Sequence, residues 1–371
     1  MARPRILVVR LGSMGDILHA LPAVALLRRT WPDSAIDWVV HPKWRDLLAA
    51  NPLGLDPIYV DRKSASSLRQ ALSRLRATAY DFAIDFQGLI QSAIVTRVAR
   101  RAAAYGFHRS LVREWPAALF YTHALRTAEP HVVGRNLALA VAAGAAPGPV
   151  EFLLPPGCPE GELPERFVLA APLAGWTAKQ WPLEYYAPLA RRLRESFGLS
   201  LVLNGPPSSE PLLRTVAGAH VHISGLSGLI DATRRATAVL GLDSGPMHLA
   251  AALGKPGVAL FGPTDPARNG PYGNSLTVLR HASAMGTYTR GSAVDPSLRA
   301  LTPDIVFVAL NEALLNAQSV GDAQPVSNAQ SPRNSQPDLE AQSPRNAQST
   351  AAPASDPPAA RANASAGDSA S

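Results

Sequence analysis

The chain has 371 residues, of which 47% are hydrophobic, so it is long enough to form two globular domains. Its net charge is +7, and because the tail after Ala317 carries three arginines against five acids, the remaining residues carry +9. Such an excess implies an anionic partner, but no Lys/Arg-rich helix with interleaved aromatics indicates nucleic acid, so a phosphorylated glycolipid at an anionic membrane surface fits better. The apolar runs are too short to span a membrane, and a glycine loop interrupts the first of them, which predicts a cytoplasmic protein without a signal peptide.

The first half of the chain alternates short apolar runs with helical stretches. Residues 5–10 form a β-branched apolar run typical of a buried parallel strand, and a glycine loop separates it from a long apolar stretch. Further strands are predicted at 36–40, 57–60, 81–86 and 103–107, with helices at 66–76 and 89–101. This alternation predicts an α/β domain over residues 1–150.

The second half repeats the alternation after a Pro- and Gly-rich linker at 148–164. Strands are predicted at 167–171, 200–203, 221–223, 238–242 and 258–261, with helices at 183–195 and 227–236. We therefore expect two Rossmann-like doubly wound domains facing a cleft, the second over 165–300.

Two further segments follow the second domain. A last helix within 301–317 has apolar residues at helical spacing and is expected to pack back on the first domain. Residues 318–371 are rich in Ala, Ser, Pro, Asn and Gln and contain A-Q-S-P-R-N twice, so we expect a disordered tail.

The most informative stretch runs from residue 238 to 273 and reads as strand, turn, helix and strand. Asp243 ends the first strand, and Ser244, Gly245 and a proline open the helix, whose free amides and positive dipole end suit an anion such as a diphosphate. His248, one turn into the helix, could add a donor or a charge. The structural alternative is that Asp243 and Ser244 only cap the helix and that His248 is a core histidine.

The glycine loop after the first strand reads Gly12-Ser13-Met14-Gly15-Asp16. It lacks the G-x-G-x-x-G spacing of a dinucleotide fingerprint. A carboxylate beside a helix N-terminus is favoured in its ionised form, so Asp16 would be able to accept a proton from a sugar hydroxyl. The same position also suits an ordinary helix cap.

Five loop segments resemble those of glycosyltransferase family nine, the bacterial heptosyltransferases, and the resemblance covers residues 5–316. They are G-S-M-G-D-I-L-H-A-L-P-A, D-F-Q-G-L-I-Q-S-A, F-H-R-S-L-V-R-E, G-W-T-A-K-Q-W-P and the 238–273 stretch. The resemblance implies a GT-B fold, in which the first domain binds the acceptor and the second binds the nucleotide sugar. It also implies an inverting displacement with Asp16 as the catalytic base and Lys179 at the donor diphosphate.

The remaining site residues also follow from this resemblance. The chain has Ala174 and Gly175 where the family has hydroxyl residues at phosphate, so backbone amides or Thr177 would substitute, and Glu210 is the candidate for the donor ribose, with Ser209 as a neighbouring choice. The donor-binding residues are then Gly175, Thr177, Lys179, Glu210, Asp243, Ser244, Gly245 and His248. The acceptor-binding residues are Ser13, Arg62, Lys63, Gln87 and Arg113, although surface solvation is the alternative for the arginines.

The implied partners are an ADP-heptose donor and a Kdo-lipid A acceptor, reached by a monomer at the cytoplasmic face of the inner membrane. No metal or other cofactor is expected, since the sequence has no D-x-D string, one cysteine (Cys158) and nine scattered histidines. Three alternatives remain open: a family member with another acceptor or nucleotide sugar, such as heptosyltransferase II, a sugar-nucleotide epimerase, and a non-catalytic nucleotide or glycolipid binder.

Overall fold

The structure is a computed structural model, which describes residues 3–286, 293–321 and 339–341. The strands are β1 (Arg5–Val9), β2 (Ala35–Val40), β3 (Leu55–Tyr59), β4 (Ala79–Asp85), β5 (Arg100–Phe107), β6 (His123–Leu125), β7 (Phe167–Ala170), β8 (Ser200–Gly205), β9 (His220–Ile223), β10 (Ala238–Leu242), β11 (Gly257–Phe261), β12 (Leu276–Arg280) and β13 (Leu339–Ala341). The helices are α1 (Met14–Thr30), α2 (Arg45–Leu48), α3 (Ala65–Ala77), α4 (Ile90–Val98), α5 (Val132–Ala142), α6 (Tyr186–Phe197), α7 (Glu210–Leu213), α8 (Leu226–Arg235), α9 (Gly245–Ala252), α10 (Pro266–Asn269), α11 (Pro296–Ala300) and α12 (Pro303–Gly321).

The first sheet has the strand order β3-β2-β1-β4-β5-β6, and all of these neighbours pair in parallel. Strand β13 adds an antiparallel edge beside β6. The order reverses between β1 and β4, whose last residues, Val9 and Asp85, lie side by side. In sheets of this kind the loops at the reversal point form the ligand-binding crevice.

The second sheet repeats the same order as β9-β8-β7-β10-β11-β12, again with parallel pairs. Its reversal point lies between β7 and β10. Residues 148–164 between the two sheets contain neither helix nor strand, as the prolines and glycines predicted. The predicted architecture of two doubly wound Rossmann-like sheets is confirmed, and none of the described helices is long and apolar enough to cross a bilayer.

The two halves share a continuous apolar core beneath helices α1 and α9, which pack on each other. Ile17 and Leu21 of α1 and Met247 of α9 belong to this core and are fully buried. Because these apolar side chains are removed from water only when the two halves pack together, the shared core holds the halves against each other near the two glycine-containing loops.

The last helix, α12, packs on the second sheet, not on the first domain as the sequence analysis expected. Val306, Leu310 and Leu314 are buried with residues of β10, β11 and α6. The physical reason is that the apolar side of α12 is buried against apolar side chains of the second sheet and of α6. The Trp181 indole also holds the residues just before α12 in place, because it donates to the carbonyl of Leu301 at 2.7 Å.

The predicted disordered tail, 318–371, lies mostly outside the described residues. Within it, α12 continues to Gly321, and β13 pairs with β6. The helix therefore extends four residues beyond the predicted boundary at 317, because Ala317 and Gln318 have good helix propensity and no proline follows until residue 325.

Candidate active site

The candidate site is built from the loops at the two reversal points. In the first sheet these loops follow β1 and β4, and they are joined because the amide of Leu11 donates to Gln87 Oε1 at 2.8 Å. In the second sheet they follow β7 and β10 and carry Lys179 and Asp243. Topology therefore brings together residues that are far apart in sequence.

The first turns of helices α1 and α9 pack against each other. A Cβ on Gly15 would lie 2.5 Å from Cδ2 of His248, and a Cβ on Gly245 would lie 2.6 Å from Sδ of Met14. These distances leave no room for a side chain, so glycine is required at both positions for the helices to approach this closely. The positive ends of two helix dipoles consequently border the same space.

This space is a cavity of about 470 Å³ between the halves. The residues that line it are Ser13, Met14, Gly15, Lys43, Trp44, Leu173, Gly175, Trp176, Lys179, Asp243, Ser244, Gly245 and Pro246. Six of the residues predicted from the sequence are among them: Ser13, Gly175, Lys179, Asp243, Ser244 and Gly245. Two lysines and two helix N-termini make the cavity suited to a polyanionic ligand.

Asp16 directly follows the lining residue Gly15, and contacts to both of its carboxylate oxygens hold it in place. Its Oδ1 pairs with the Arg10 guanidinium at 2.5 Å, and its Oδ2 accepts from the amide and the hydroxyl of Ser13, each at 2.9 Å. Burial raises the pKa of Asp16, but Arg10 and the Ser13 hydrogen bonds outweigh it, so the pKa lies below its ordinary value. The side chain remains 39% exposed, so an ionised carboxylate is accessible to a ligand.

Arg10 is the most important residue that sequence reasoning missed. It is buried, and its guanidinium also donates to the carbonyl of Phe86 at 2.5 Å, which fixes it between the loops after β1 and β4. The signal was an arginine directly after the apolar residues of β1 and before the glycine loop. A buried charge of this kind requires a partner, and Asp16 provides one.

Lys179 and Asp243 form the centre of the second-domain side. Lys179 Nζ lies 2.5 Å from Asp243 Oδ2, which also accepts from the hydroxyl of Thr264 at 2.5 Å. Both charged side chains are largely buried, at 17% and 12% exposure, and Lys179 lies 4.5 Å from the ring centre of Trp176. The lysine is thus held in place at the cavity wall by an ion pair and an aromatic face.

Neither Asp243 nor Ser244 acts as a side-chain cap for α9, which contradicts the simple structural alternative. Ser244 occupies the N-cap position, but its hydroxyl makes no capping hydrogen bond and is buried without a partner. Because a buried hydroxyl normally has a hydrogen-bond partner, this one marks the start of α9 as a candidate ligand contact. The strand-to-helix break predicted for residues 243–246 is confirmed.

His248 lies beneath the cavity and connects the two halves. Its Nδ1 is 3.1 Å from Nε2 of His19, and His131 contacts His19 edge-on at 5.6 Å between ring centres. Burial lowers the pKa of His248 to about 4, although the charges of Asp243 and Asp16 oppose this shift. Burial and the neighbouring His248 also lower the pKa of His19 well below its ordinary value. The sequence left open whether His248 is charged; the structure makes it a neutral, hydrogen-bonded histidine.

We expect this histidine pair to make the protein less stable in acid. Because the folded pKa of His248 lies below the unfolded value of about 6.5, its contribution is complete above pH 6.5 and falls as the pH drops towards about 4. The loss is about 1 kcal/mol per pH unit for one such histidine. The measurement is the melting temperature between pH 7 and pH 4.5, where His248→Gln should flatten the dependence.

His281→Gln is the matched control, since His281 is partly exposed at the end of β12. This variant should retain the slope of the wild type. An equal slope for His248→Gln and the wild type would contradict the assignment.

Eight of the residues predicted for the site are not among those that line the cavity, and two of these, Asp16 and His248, are described above. Thr177 is exposed at the start of a 3₁₀ turn, Glu210 pairs with Arg214 at 2.6 Å, and Arg62 donates to Gln91 at 2.6 Å. Lys63 and Arg113 are exposed, and Gln87 supports the glycine loop through Leu11, as described above. The roles in ligand binding that the sequence analysis expected for these six residues therefore remain predictions. Conversely, no motif or spacing singled out Lys43 and Trp44, which also line the cavity on the first-domain side.

Comparisons with known proteins show the family of the chain and agree with its fold. The profile of glycosyltransferase family 9 (heptosyltransferase) matches residues 68–296. Lipopolysaccharide heptosyltransferase 1 of Pseudomonas aeruginosa is 32% identical over 301 residues, covering 74% of this chain and 83% of that protein. The structure of E. coli heptosyltransferase WaaC with ADP is similar with a TM-score of 0.69 and 26% identity, covering 83% of this chain and 99% of that one. E. coli ADP-heptose lps heptosyltransferase II has a TM-score of 0.68 and 25% identity, with 85% and 99% covered.

Proposed function

Because the chain belongs to glycosyltransferase family 9, the heptosyltransferases, we propose that it transfers L-glycero-D-manno-heptose from ADP-heptose to Kdo of Kdo-lipid A. The observation that carries this proposal is that an ionised Asp16 on the first half follows Ser13 and Gly15, which line the same cavity as Lys179 and the start of α9 on the second half. The first domain, residues 1–150, would hold the acceptor, and the second, 165–300, would hold the nucleotide sugar.

Asp16 serves as the base in a single inverting displacement. Its carboxylate takes the proton of the Kdo hydroxyl as that oxygen bonds to the anomeric carbon of heptose, and the bond from this carbon to the ADP oxygen breaks. Arg10 and Ser13 leave the carboxylate ionised and fixed in orientation, so little rearrangement precedes the proton transfer. The family profile begins at residue 68, so this assignment rests on the site geometry and the glycine-loop motif.

The departing ADP gains negative charge, which the second half is arranged to receive. Ser244 and Gly245 line the cavity at the start of α9, whose helix dipole is positive at this end, and Lys179 supplies a full positive charge. In this proposal Gly175 and Thr177 contact the diphosphate through the loop after β7, and Glu210 contacts the ribose. The carboxylate of Asp243 keeps the lysine directed at the cavity until the donor binds.

Cations on the first half would meet the acidic groups of the acceptor. Ser13 and Gln87 lie at the glycine loop, and Arg62, Lys63 and Arg113 are exposed cations suited to carboxylate or phosphate. We place the enzyme, as a monomer, at the cytoplasmic face of the inner membrane, where such an acceptor is presented. Its similarity to heptosyltransferase II supports a second candidate function, in which the acceptor already carries heptose.

An ADP-release assay separates these functions. We expect ADP to be released from ADP-heptose only when Kdo-lipid A is present, and other nucleotide sugars should be poor donors. Release that requires an acceptor already bearing heptose would indicate the second function. Turnover of a nucleotide sugar without acceptor would indicate an epimerase or hydrolase, and donor binding without turnover would indicate a non-catalytic binder.

We expect the reaction to proceed without a divalent cation. Lys179 and two helix N-termini supply positive charge at the cavity, and within the described residues no group of three His, Cys, Asp or Glu side chains could hold a metal. Initial rates measured with EDTA should therefore equal those without it. Full inhibition by EDTA that magnesium or manganese reverses would contradict this prediction.

A further inference from the structure

Four large apolar side chains lie exposed on two neighbouring elements of the first half. Ile90 and Ile94, one turn apart on α4, are 38% and 47% exposed, and Trp115 and Leu119, on the 3₁₀ turn Trp115–Phe120, are 61% and 65% exposed. The other five tryptophans of the chain are buried or half-buried. We call these four residues the docking face, because exposed apolar clusters of this kind mark interaction sites.

The docking face is fixed in place from behind. The carboxylate of Glu114 accepts from the amide of Ile90 at 2.8 Å, which joins the start of α4 to the start of the 3₁₀ turn. Ala93 packs with Ala117 and Ala118 in a small buried cluster between the two elements. The inner sides of both elements are therefore occupied, and the four apolar side chains are left on the outside.

Cationic side chains border the docking face. Arg97 is exposed one turn after Ile94 on α4, and Arg101 donates to the carbonyl of Phe120 at the end of the 3₁₀ turn. At the other end, Arg62 reaches Gln91 at 2.6 Å, and the exposed Arg113 precedes the capping glutamate. An apolar centre bordered by arginines matches a surface that is apolar inside and anionic at its rim.

A bilayer with anionic headgroups has this composition. Isoleucine and leucine side chains can enter the acyl boundary, the indole of Trp115 suits the headgroup level, and arginines pair with lipid phosphates. We propose that the docking face binds the surface of an anionic phospholipid bilayer. Binding to the bilayer does not depend on the proposed function. Its consequence does: if the acceptor is lipid-anchored, as proposed, the enzyme reaches it from the docking face.

The position of the docking face agrees with that role. It begins three residues after Gln87, whose side chain supports the glycine loop that carries Asp16. The apolar face and the base are thus attached to loops at the same reversal point of the first sheet. Docking at this face would bring a membrane-anchored acceptor to the first-domain side of the cavity.

Co-sedimentation of the full chain with vesicles tests the proposal, with neither donor nor acceptor present. We expect binding to vesicles of phosphatidylethanolamine and phosphatidylglycerol that weakens with added salt, and little binding to phosphatidylcholine alone. The double variant Trp115→Ser/Leu119→Ser should lower the partition coefficient by at least about tenfold. Arg97→Gln should lower it by about fivefold and reduce its salt dependence.

The matched control is Val308→Ser/Leu315→Ser on α12, which removes two apolar side chains of similar exposure, 53% and 55%, from the second half. It should bind vesicles as the wild type does. A single variant, Trp115→Phe, keeps the apolar ring and should retain binding while losing the lipid-dependent change in tryptophan fluorescence. This measurement remains informative if the double serine variant fails to fold.

Three outcomes overturn the proposal: vesicle binding by Trp115→Ser/Leu119→Ser equal to that of the wild type, an equal loss in the α12 control, or a wild-type dimer that this variant dissociates. The last would make the face a contact between copies. Transfer to a deacylated, soluble acceptor reports on the proposed function separately. Vesicle binding at this face without any transfer would sink the proposed function alone, and transfer without vesicle binding would sink the docking face alone.

Discussion

Asp16→Asn is expected to lower kcat by about 10²–10⁴-fold while the Kd of ADP stays within a few fold of the wild type. The amide has the size of the carboxylate but cannot take the acceptor proton, and the charges proposed to bind ADP lie on the second half. Rates from ADP release and the Kd from calorimetry provide the two measurements. Asp33→Asn, which alters a carboxylate that is 72% exposed, is the control and should behave as the wild type.

The pH profile adds a test that a structural role for Asp16 would not pass. Since Arg10 and Ser13 hold the pKa of Asp16 below its ordinary value, kcat/KM should be lost only in strong acid. Arg10→Met should raise this pKa and move the acid limb to higher pH. Near-normal turnover in Asp16→Asn, or an unchanged acid limb in Arg10→Met, would contradict the assignment.

Lys179→Met is expected to raise the Kd of ADP by about tenfold or more and to lower kcat as well. It removes a charge-assisted contact of about 1.5–3 kcal/mol to the diphosphate. It also leaves the Asp243 carboxylate without its cationic partner in the cavity wall, where its negative charge repels the anionic donor. Calorimetric titration with ADP measures the first effect, and initial rates at saturating donor measure the second.

Lys179→Arg keeps the charge and should restore part of the affinity, although the guanidinium does not reproduce the ammonium contact to Asp243 Oδ2 at 2.5 Å. If Lys179→Met binds ADP as tightly as the wild type does, the lysine has no role at the diphosphate. The donor would then depend on the start of α9 alone.

The central strands were predictable because they are apolar on both faces. The runs that became β1, β4, β7, β10 and β11 are nearly fully buried and stand out from the sequence. Three strands at the margins of the sheets were not predicted. Strands β6 and β13 have only three residues each, and β12 leaves most of its side chains partly or fully exposed, so none of them has a long apolar run.

The glycine positions of the site were also visible in the sequence, whereas its long-range pairs were not. Gly15 and Gly245 occur in recognisable loops, but the contact of each with the opposite helix depends on how the two halves pack. The bond between His19 and His248 joins residues 229 positions apart, and the ion pair of Lys179 and Asp243 spans 64. No local periodicity encodes such distances, so the neutral state of His248 and the restraint on Lys179 required the structure.

The location of α12 illustrates the same limit. Its helical spacing predicted an amphipathic helix, but the spacing does not indicate which sheet receives the apolar stripe. The structure shows that the second sheet receives it, since Val306 and Leu310 pack there.

The central claim is that Asp16 on one half activates an acceptor for direct attack on a donor held by the other half. The product of a reaction of ADP-heptose with Kdo-lipid A, analysed by mass spectrometry and NMR, tests it most directly. The predicted product carries one added heptose on Kdo, with an anomeric configuration opposite to that in the donor. An unmodified acceptor, or a heptose that retains the donor configuration, would contradict the claim.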